Sequence, residues 1–320
     1  MRVAAIDCGT NTLRLFVGTL DADGFLRELD RRLTFVGLGE GVDATGRFAP
    51  DALRRAFRTC EQYAEIIADL DCSRTRFVAT SATRDAVNRE EFFAGVRARM
   101  GIEPEVISGV EESELSFAGA VNGIRCPRNP VLVMDSGGGS TELVRGTAAC
   151  CQDSVTAVER GVSIDVGSRR LRERILHGDP PTAGEVGEAR ELVRHQLDGA
   201  GLDLGGIGSF IGVAGTVTSM TALALRLRRY DRARVHGAAM GAAAVHRVAE
   251  RLLTSTVADI TCWGPVQPQR AEVLCAGALI VDEVVRRVGT AELIASEADI
   301  LDGVALGLLS DGDGRGPAVR

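Results

Sequence analysis

Asp135-Ser136-Gly137-Gly138-Gly139-Ser140-Thr141-Glu142 is the stretch on which the fold turns. Val131-Leu132-Val133-Met134 leads into it and Leu143-Val144 leads out. An apolar run, a tight glycine turn and a second apolar run predict a β-hairpin with a backbone loop at its tip. Three consecutive glycines carry no Cβ, so their amides can close around an anion. Ser140 and Thr141 add hydroxyl donors. Asp135 and Glu142 flank the loop, and a carboxylate beside a phosphate implies a divalent cation between them. The competing reading is a plain tight hairpin with two solvated acids.

The same plan recurs near the N-terminus. In Val3-Ala4-Ala5-Ile6-Asp7-Cys8-Gly9-Thr10-Asn11-Thr12-Leu13-Arg14-Leu15, placing Asp7 on Asp135 puts Gly9 on Gly137 and Thr12 on Ser140. Leu15 then falls on Leu143 and Gly18 on Gly146, without a gap. A repeat at this separation predicts two copies of one β-rich unit. Facing each other, they would enclose a cleft where the acids, Asp7 among them, surround a metal and a phosphate chain. The copies are not equivalent, since Arg14 stands where the second has Glu142.

Composition bounds the reading. The 320 residues suffice for two domains, with an ordinary 45% hydrophobic and 25% charged content. A formal charge of -7 argues against a general nucleic-acid or membrane-surface binder. An anionic substrate then needs local positive charge. The eight cysteines show neither CxxC pairing nor zinc spacing, which suits a reducing cytoplasm. Cys150-Cys151 is the one pair that invites a redox reading, against two ordinary thiols. The chain starts directly on a strand-like run, without the pattern of a signal peptide. No uncharged apolar run reaches about 18 residues, so no membrane span is expected.

In order along the chain, Phe25–Leu29 and Arg32–Val36 are expected as two strands, and Pro50 opens a helix to about Asp69. A strand over 75–79 ends in Thr80-Ser81-Ala82-Thr83-Arg84-Asp85. Arg84 stands just past a strand end, where it can grip phosphate or pair with a local carboxylate. Glu111-Glu112-Ser113-Glu114 opens a helix. The acids either compensate the helix dipole or supply a general base. Arg125-Cys126-Pro127-Arg128-Asn129-Pro130 is the expected interdomain segment.

Beyond it, Ala157–Val162 is expected as strand and turn, and 166–176 as a basic helix carrying Arg169, Arg170, Arg172 and Arg174. That helix either serves a polyanion or is a solvated face. Thr182 starts a further helix. Gly215-Thr216, after Phe210-Ile211-Gly212-Val213, forms a strand–glycine–helix junction able to hold an anion. Arg270-Ala271-Glu272 opens a helix with a buried character. A last helix over 299–309 is expected to cross back onto the first domain, before a flexible tail over 310–320. The expected domains are thus 1–125, completed by that helix, and 126–298.

These motifs together resemble the exopolyphosphatase / guanosine pentaphosphate phosphohydrolase (Ppx/GppA) family. Asp7–Thr12, Thr80–Ala86, Ile107–Glu112, Asp135–Glu142, Gly212–Thr216 and Arg270–Glu272 occur in family order. The resemblance runs to about residue 309. It implies an α/β fold of two RNase H-like lobes of the actin-like ATPase superfamily around a central cleft. It implies hydrolysis of a terminal phosphoanhydride with Mg²⁺ and release of orthophosphate. Glu112, with Glu111 second, would activate water. Asp135 and Glu142 would hold the metal or the water. Gly137, Gly138, Gly139, Ser140 and Thr141 would hold phosphates, with Asn11, Thr12 and Arg84 from the other lobe and Gly215-Thr216 at a further phosphate. A homodimer is also implied. Larger members carry an HD-type metal-binding module. The histidines at 177, 195, 236 and 246 form no such pattern here, so short polyphosphate chains are the expected substrate. The alternatives are pppGpp 5′-phosphate hydrolysis, a sugar-kinase-like or actin-like ATP-binding protein, and a sensor that binds without turnover.

Overall fold

The computed structural model describes residues 1–22, 24–149 and 156–310. Two compact units divide it: Met1–Asn122 joined by the segment from Asp299, and Gly123–Ala298. Cys150-Cys151 and the tail from 311 lie outside the described residues.

The first unit opens with strands β1 (Val3–Cys8), β2 (Thr12–Leu20) and β3 (Leu26–Phe35). Helices α1 (Val42–Thr45) and α2 (Pro50–Asp69) follow, then β4 (Arg74–Ala79), α3 (Ser81–Asp85), α4 (Arg89–Met100), β5 (Glu105–Val106) and α5 (Gly109–Asn122). The sheet order is β3-β2-β1-β4-β5, with β1 antiparallel to β2 and parallel to β4. β1 is buried on both faces. Ala4, Ile6 and Cys8 join the core formed with α2 and α4, whereas Val3 and Ala5 join the core on the other face. This period-2 division places Asp7 on the second face.

The two strands expected over 25–36 are one. Asp30-Arg31 looks like a break, but Arg31 donates to Asp302 at 2.7 Å and lies over the Phe16 ring, so the polar centre is satisfied without a turn.

The second unit contains β6 (Val131–Ser136), β7 (Thr141–Thr147), β8 (Ala157–Ile164), α6 (Ser168–Arg174), α7 (Ala183–Gly199), β9 (Ser209–Val213) and α8 (Ala214–Ala224). It continues with α9 (Arg232–Val235), β10 (Ala239–Gly241), α10 (Ala242–Leu253), α11 (Val257–Thr261), α12 (Ala271–Val288) and β11 (Glu292–Ala295). Its order is β10-β11-β9-β6-β7-β8. β8 runs on through Gly161 to Ile164, where the sequence had pointed to a turn, because β7 pairs with it throughout. Thr182 caps α7 with a reciprocal Thr182–Glu185 box, which holds the Glu185 carboxyl down at about 2 through backbone N–H bonds.

The basic helix shortens to Ser168–Arg174. Its Arg169 and Arg170 are buried rather than solvated, although Arg169 does pair with a nearby acid, Glu173, at 3.4 Å. The apolar α12 carries two buried acids, Asp282 and Glu283, which Arg190 and Arg194 of α7 meet at 2.7 Å.

The final helix, α13 (Ile300–Ser310), includes Ser310 and packs on the first unit through Ile300, Leu301, Val304 and Ala305 against Val3, Ala5, Phe16 and Val78.

Both units share one plan, the RNase H-like α/β arrangement. Asp7 pairs with Arg14 across the first hairpin as Asp135 pairs with Glu142 across the second. Even the bulge repeats, between Val17 and Gly18 and between Arg145 and Gly146.

Candidate functional site

The triple-glycine loop is fixed from behind by α6. Ser168 N donates to the Gly137 carbonyl at 2.9 Å, and Arg169 N and Arg170 N donate to that of Gly138 at 2.9 and 3.1 Å. In a trans peptide the next amide points opposite to the carbonyl. The Gly138 and Gly139 N–H groups therefore turn away from α6, and no protein acceptor takes them among the described residues. Gly167 makes the approach possible. A Cβ there would lie 2.4 Å from the Gly138 carbonyl carbon. Ser140 O closes the turn on Gly137 N at 3.0 Å, as Thr12 O closes it on Gly9 N at 3.0 Å. The Thr141 hydroxyl donates to Val166 O at 2.7 Å, so its proton serves the scaffold.

Beneath this loop Asp135 and Glu142 are direct cross-strand partners, and both are buried. Like charges so placed repel unless a proton or a cation intervenes. Ser163 Oγ donates to Glu142 Oε1 at 2.7 Å. Two carboxylates beside such a glycine loop would fit Mg²⁺, which commonly takes one or two protein carboxylates and completes its shell with water and phosphate oxygens. Three-residue His/Cys/Asp/Glu clusters, which a dedicated protein cage would need, do not occur among the described residues.

In the first unit the equivalent pair is neutralised internally. Arg14 Nε and Nη2 donate to Asp7 Oδ2 at 2.9 and 2.6 Å, and Arg14 also pairs with Asp299. Burial still pushes the Asp7 carboxyl up against the pull of Arg14. A guanidinium, Arg14, thus stands at the position where the second hairpin has the Glu142 carboxylate. Burial pushes the adjacent Cys8 thiol well up, which keeps it protonated and unsuited to nucleophilic attack. The carbonyls of Thr10 and Asn11 accept from Gly39 N and from Val36 N and Gly37 N, so the amides of Asn11 and Thr12 turn the other way.

Glu111 and Glu112 start α5 but have different surroundings, because one helical step rotates a side chain by about 100°. Arg84 Nη1 donates to Glu112 Oε2 at 2.8 Å and to Ile107 O at 3.0 Å, and Glu112 is buried. Glu111 lies outside, 42% exposed, paired with Arg76 at 2.7 Å. Arg84 and Glu112 are therefore brought together, and Glu111 is set apart.

The β9–α8 junction differs from the expected glycine turn. The left-handed residue is Ala214, at φ 67°, and such strain in a non-glycine residue concentrates at functional sites. Gly215 serves another purpose: a Cβ there would lie 1.7 Å from Arg270 Nη1, so the Arg270 guanidinium sits directly on the α8 N-terminus. Thr216 is buried in the first turn. The helix dipole and a guanidinium both favour an anion at this corner.

A profile of the Ppx/GppA phosphatase family matches residues 20–311. The chain belongs to that family. Exopolyphosphatase 2 of Mycobacterium tuberculosis (strain CDC 1551 / Oshkosh) is 44% identical over 321 residues, covering 96% of this chain and 98% of that protein. The crystal structure of an exopolyphosphatase-like protein superposes with a TM-score of 0.90 at 41% identity, over 96% of this chain and 97% of that one. The Aquifex aeolicus Ppx/GppA family member gives 0.81 at 28% identity, over 98% and 99%.

Sequence reasoning missed several features of this Ppx/GppA chain. Arg270 opens a helix and belongs to a motif of the family resemblance, but nothing local signals that it reaches Gly215. Two buried hydroxyls, Thr83 and Ser136, lack a hydrogen-bond partner among the described residues. Both lie inside quoted motifs, and unsatisfied buried groups in native structures call for a functional or strain account. Among the described residues no helix is long and apolar enough to cross a membrane.

Proposed function

We propose that this phosphatase is an exopolyphosphatase, hydrolysing the terminal phosphoanhydride of inorganic polyphosphate, preferably short chains, to orthophosphate. The observation that carries the reading is the second-unit hairpin. Two directly opposed buried carboxylates lie beneath a glycine loop whose Gly138 and Gly139 amides meet no protein acceptor among the described residues. Such a loop suits phosphate oxygens. Asp135 and Glu142 would hold Mg²⁺, which when bound neutralises phosphate charge and orients the chain. Asp7, held by Arg14, is the least suited of the three acids to that task.

The first unit supplies the base in this reading. Glu112 accepts a proton from water as the water oxygen bonds to the terminal phosphorus. The bond to the bridging oxygen breaks, and that oxygen stays with the shortened chain. Arg84 donates to the Glu112 carboxylate at 2.8 Å and would orient it to take the proton. Phosphoryl transfer demands mainly positioning and charge neutralisation, which such groups provide. The Gly215–Arg270 corner, with Thr216, would take a further phosphate, and Asn11 and Thr12 would contribute amides. The 44% identity to a protein named exopolyphosphatase 2 supports the same substrate class.

The test is orthophosphate release with Mg²⁺ from short polyphosphate, long polyphosphate, pppGpp and ATP. Polyphosphate is expected to be turned over with the highest kcat/KM. Preferred pppGpp turnover would move the assignment to the alarmone, and preferred ATP turnover would remove it. A cytoplasmic setting fits the buried, unbridged thiols of Cys8, Cys60 and Cys275. A homodimer, checked by light scattering, completes the proposal.

A further inference from the structure

From the end of α8 into α9 the chain reads Arg226-Leu227-Arg228-Arg229-Tyr230-Asp231-Arg232-Ala233-Arg234. These residues line an open concavity of about 730 Å³ on the second unit. Five of the chain's arginines crowd into this loop, in a protein of net charge -7. Arg232 pairs with Glu297 at 3.3 Å. Asp231, itself exposed, caps α9 by accepting from Arg234 N. Arg226, Arg228, Arg229 and Arg234 are exposed, and no carboxylate lies within ion-pair distance of them among the described residues.

The loop is built rather than loose. Leu227 is buried, and its amide and that of Arg226 return to the Ala222 and Leu223 carbonyls at 3.0 Å. Arg226 is held at φ 53°, a left-handed conformation that non-glycine residues adopt at a cost. The Arg228 carbonyl packs so closely on Gly264 that a Cβ there would lie 2.0 Å away. Tyr230 ties the loop to the corner described above. Its hydroxyl bonds Glu297, reaches Thr218 of α8, and lies near enough to Arg270 to feel its charge. Preformed, same-sign guanidinium groups around a concavity bind multiply charged oxyanions, and each suits phosphate bidentately.

Resting on the polyphosphate reading, we infer that the Arg226–Arg234 loop is a distal subsite that binds internal phosphates of a long polyphosphate chain. The occupant is a phosphate chain without bases. Proteins that hold single-stranded nucleic acid pair a basic groove with aromatic stacking platforms. The loop carries one aromatic ring, Tyr230, whose hydroxyl is engaged with Glu297, so it offers no row of stacking platforms. The loop would thus add a hold on chains long enough to reach it, while short chains meet the terminal site alone.

The test compares wild type with the R226A/R228A/R229A triple variant, whose three side chains are exposed and whose fold is checked by its melting curve. Equilibrium binding of long polyphosphate without Mg²⁺ is expected to weaken at least about tenfold, with a shallower dependence on salt. The ratio of KM for long polyphosphate to KM for tripolyphosphate is expected to rise by a similar factor. Unchanged binding of long polyphosphate overturns the inference. An equal rise in both KM values also overturns it, by making the loop part of the terminal site. If single-stranded poly(U) competes as well as polyphosphate at equal phosphate concentration, the loop is a nucleic-acid surface and the inference falls. Should wild type bind long polyphosphate through these arginines yet hydrolyse none, the subsite stands and the exopolyphosphatase reading fails.

Discussion

Glu112→Gln and Glu111→Gln change adjacent residues of one helical turn in the same way, yet should have opposite consequences. Glu112 is buried, and its Oε2 receives Arg84 Nη1 at 2.8 Å. The glutamine amide oxygen can still accept that bond, and Arg84 keeps its 3.0 Å bond to Ile107 O. The folding cost should therefore stay within about 1.5 kcal/mol, the worth of one hydrogen bond. The amide cannot take a proton from water. A general base contributes about 10²–10⁴ to the rate, so kcat should fall by that factor, or about 2.7–5.5 kcal/mol of barrier. Polyphosphate binding should stay within about threefold, since the loss falls on the reaction step. Glu111 is 42% exposed and its partner Arg76 also bonds Glu105. Losing such a surface pair costs about 0–1 kcal/mol and should leave kcat within about threefold. The assay is steady-state phosphate release together with equilibrium binding and urea denaturation. If Glu111→Gln loses turnover while Glu112→Gln keeps it, the base lies on the solvent side. The Arg84–Glu112 pair is then structural.

Arg14→Ala should cost about 3–5 kcal/mol near neutral pH, because it strands buried Asp7 and Asp299 without their shared guanidinium. The sign of its pH dependence follows from the two acids. The Asp7 carboxyl already lies above its ordinary 3.8 through burial, so its charged form opposes folding, and that penalty lifts as pH falls through the raised value. Burial pushes Asp299 up as well, but Arg14 and Arg31 outweigh it and hold the carboxyl below 3.8. In wild type that contribution is present above 3.8 and lost as pH falls below it; without Arg14 the carboxyl rises too. The deficit of the variant should therefore shrink as pH is lowered from neutral in urea titrations, and a constant or growing deficit would refute the account. Asp135→Asn should lower Mg²⁺-dependent kcat, since the carboxylate proposed to hold the metal becomes an amide. It should also abolish any Mg²⁺-dependent rise in Tm. An undiminished Mg²⁺ shift would place the metal elsewhere.

The sequence by itself determined the duplicated hairpin. The spacing of Asp7, Gly9, Leu15 and Gly18 against Asp135, Gly137, Leu143 and Gly146 is a local, gapless pattern, and strand pairing within a hairpin is set by nearby residues. Helix starts at Pro50 and Thr182 were equally legible, because caps act within one turn. Tertiary structure alone decided which of two neighbouring glutamates meets Arg84, since that pair spans 28 residues. It also decided that Arg14 neutralises Asp7 together with Asp299, across 285 residues, and that Arg270 takes the space a side chain at Gly215 would fill. Charge partners and close approaches depend on which distant segments pack together, and the periodicity of a segment records which face is buried without recording what covers it.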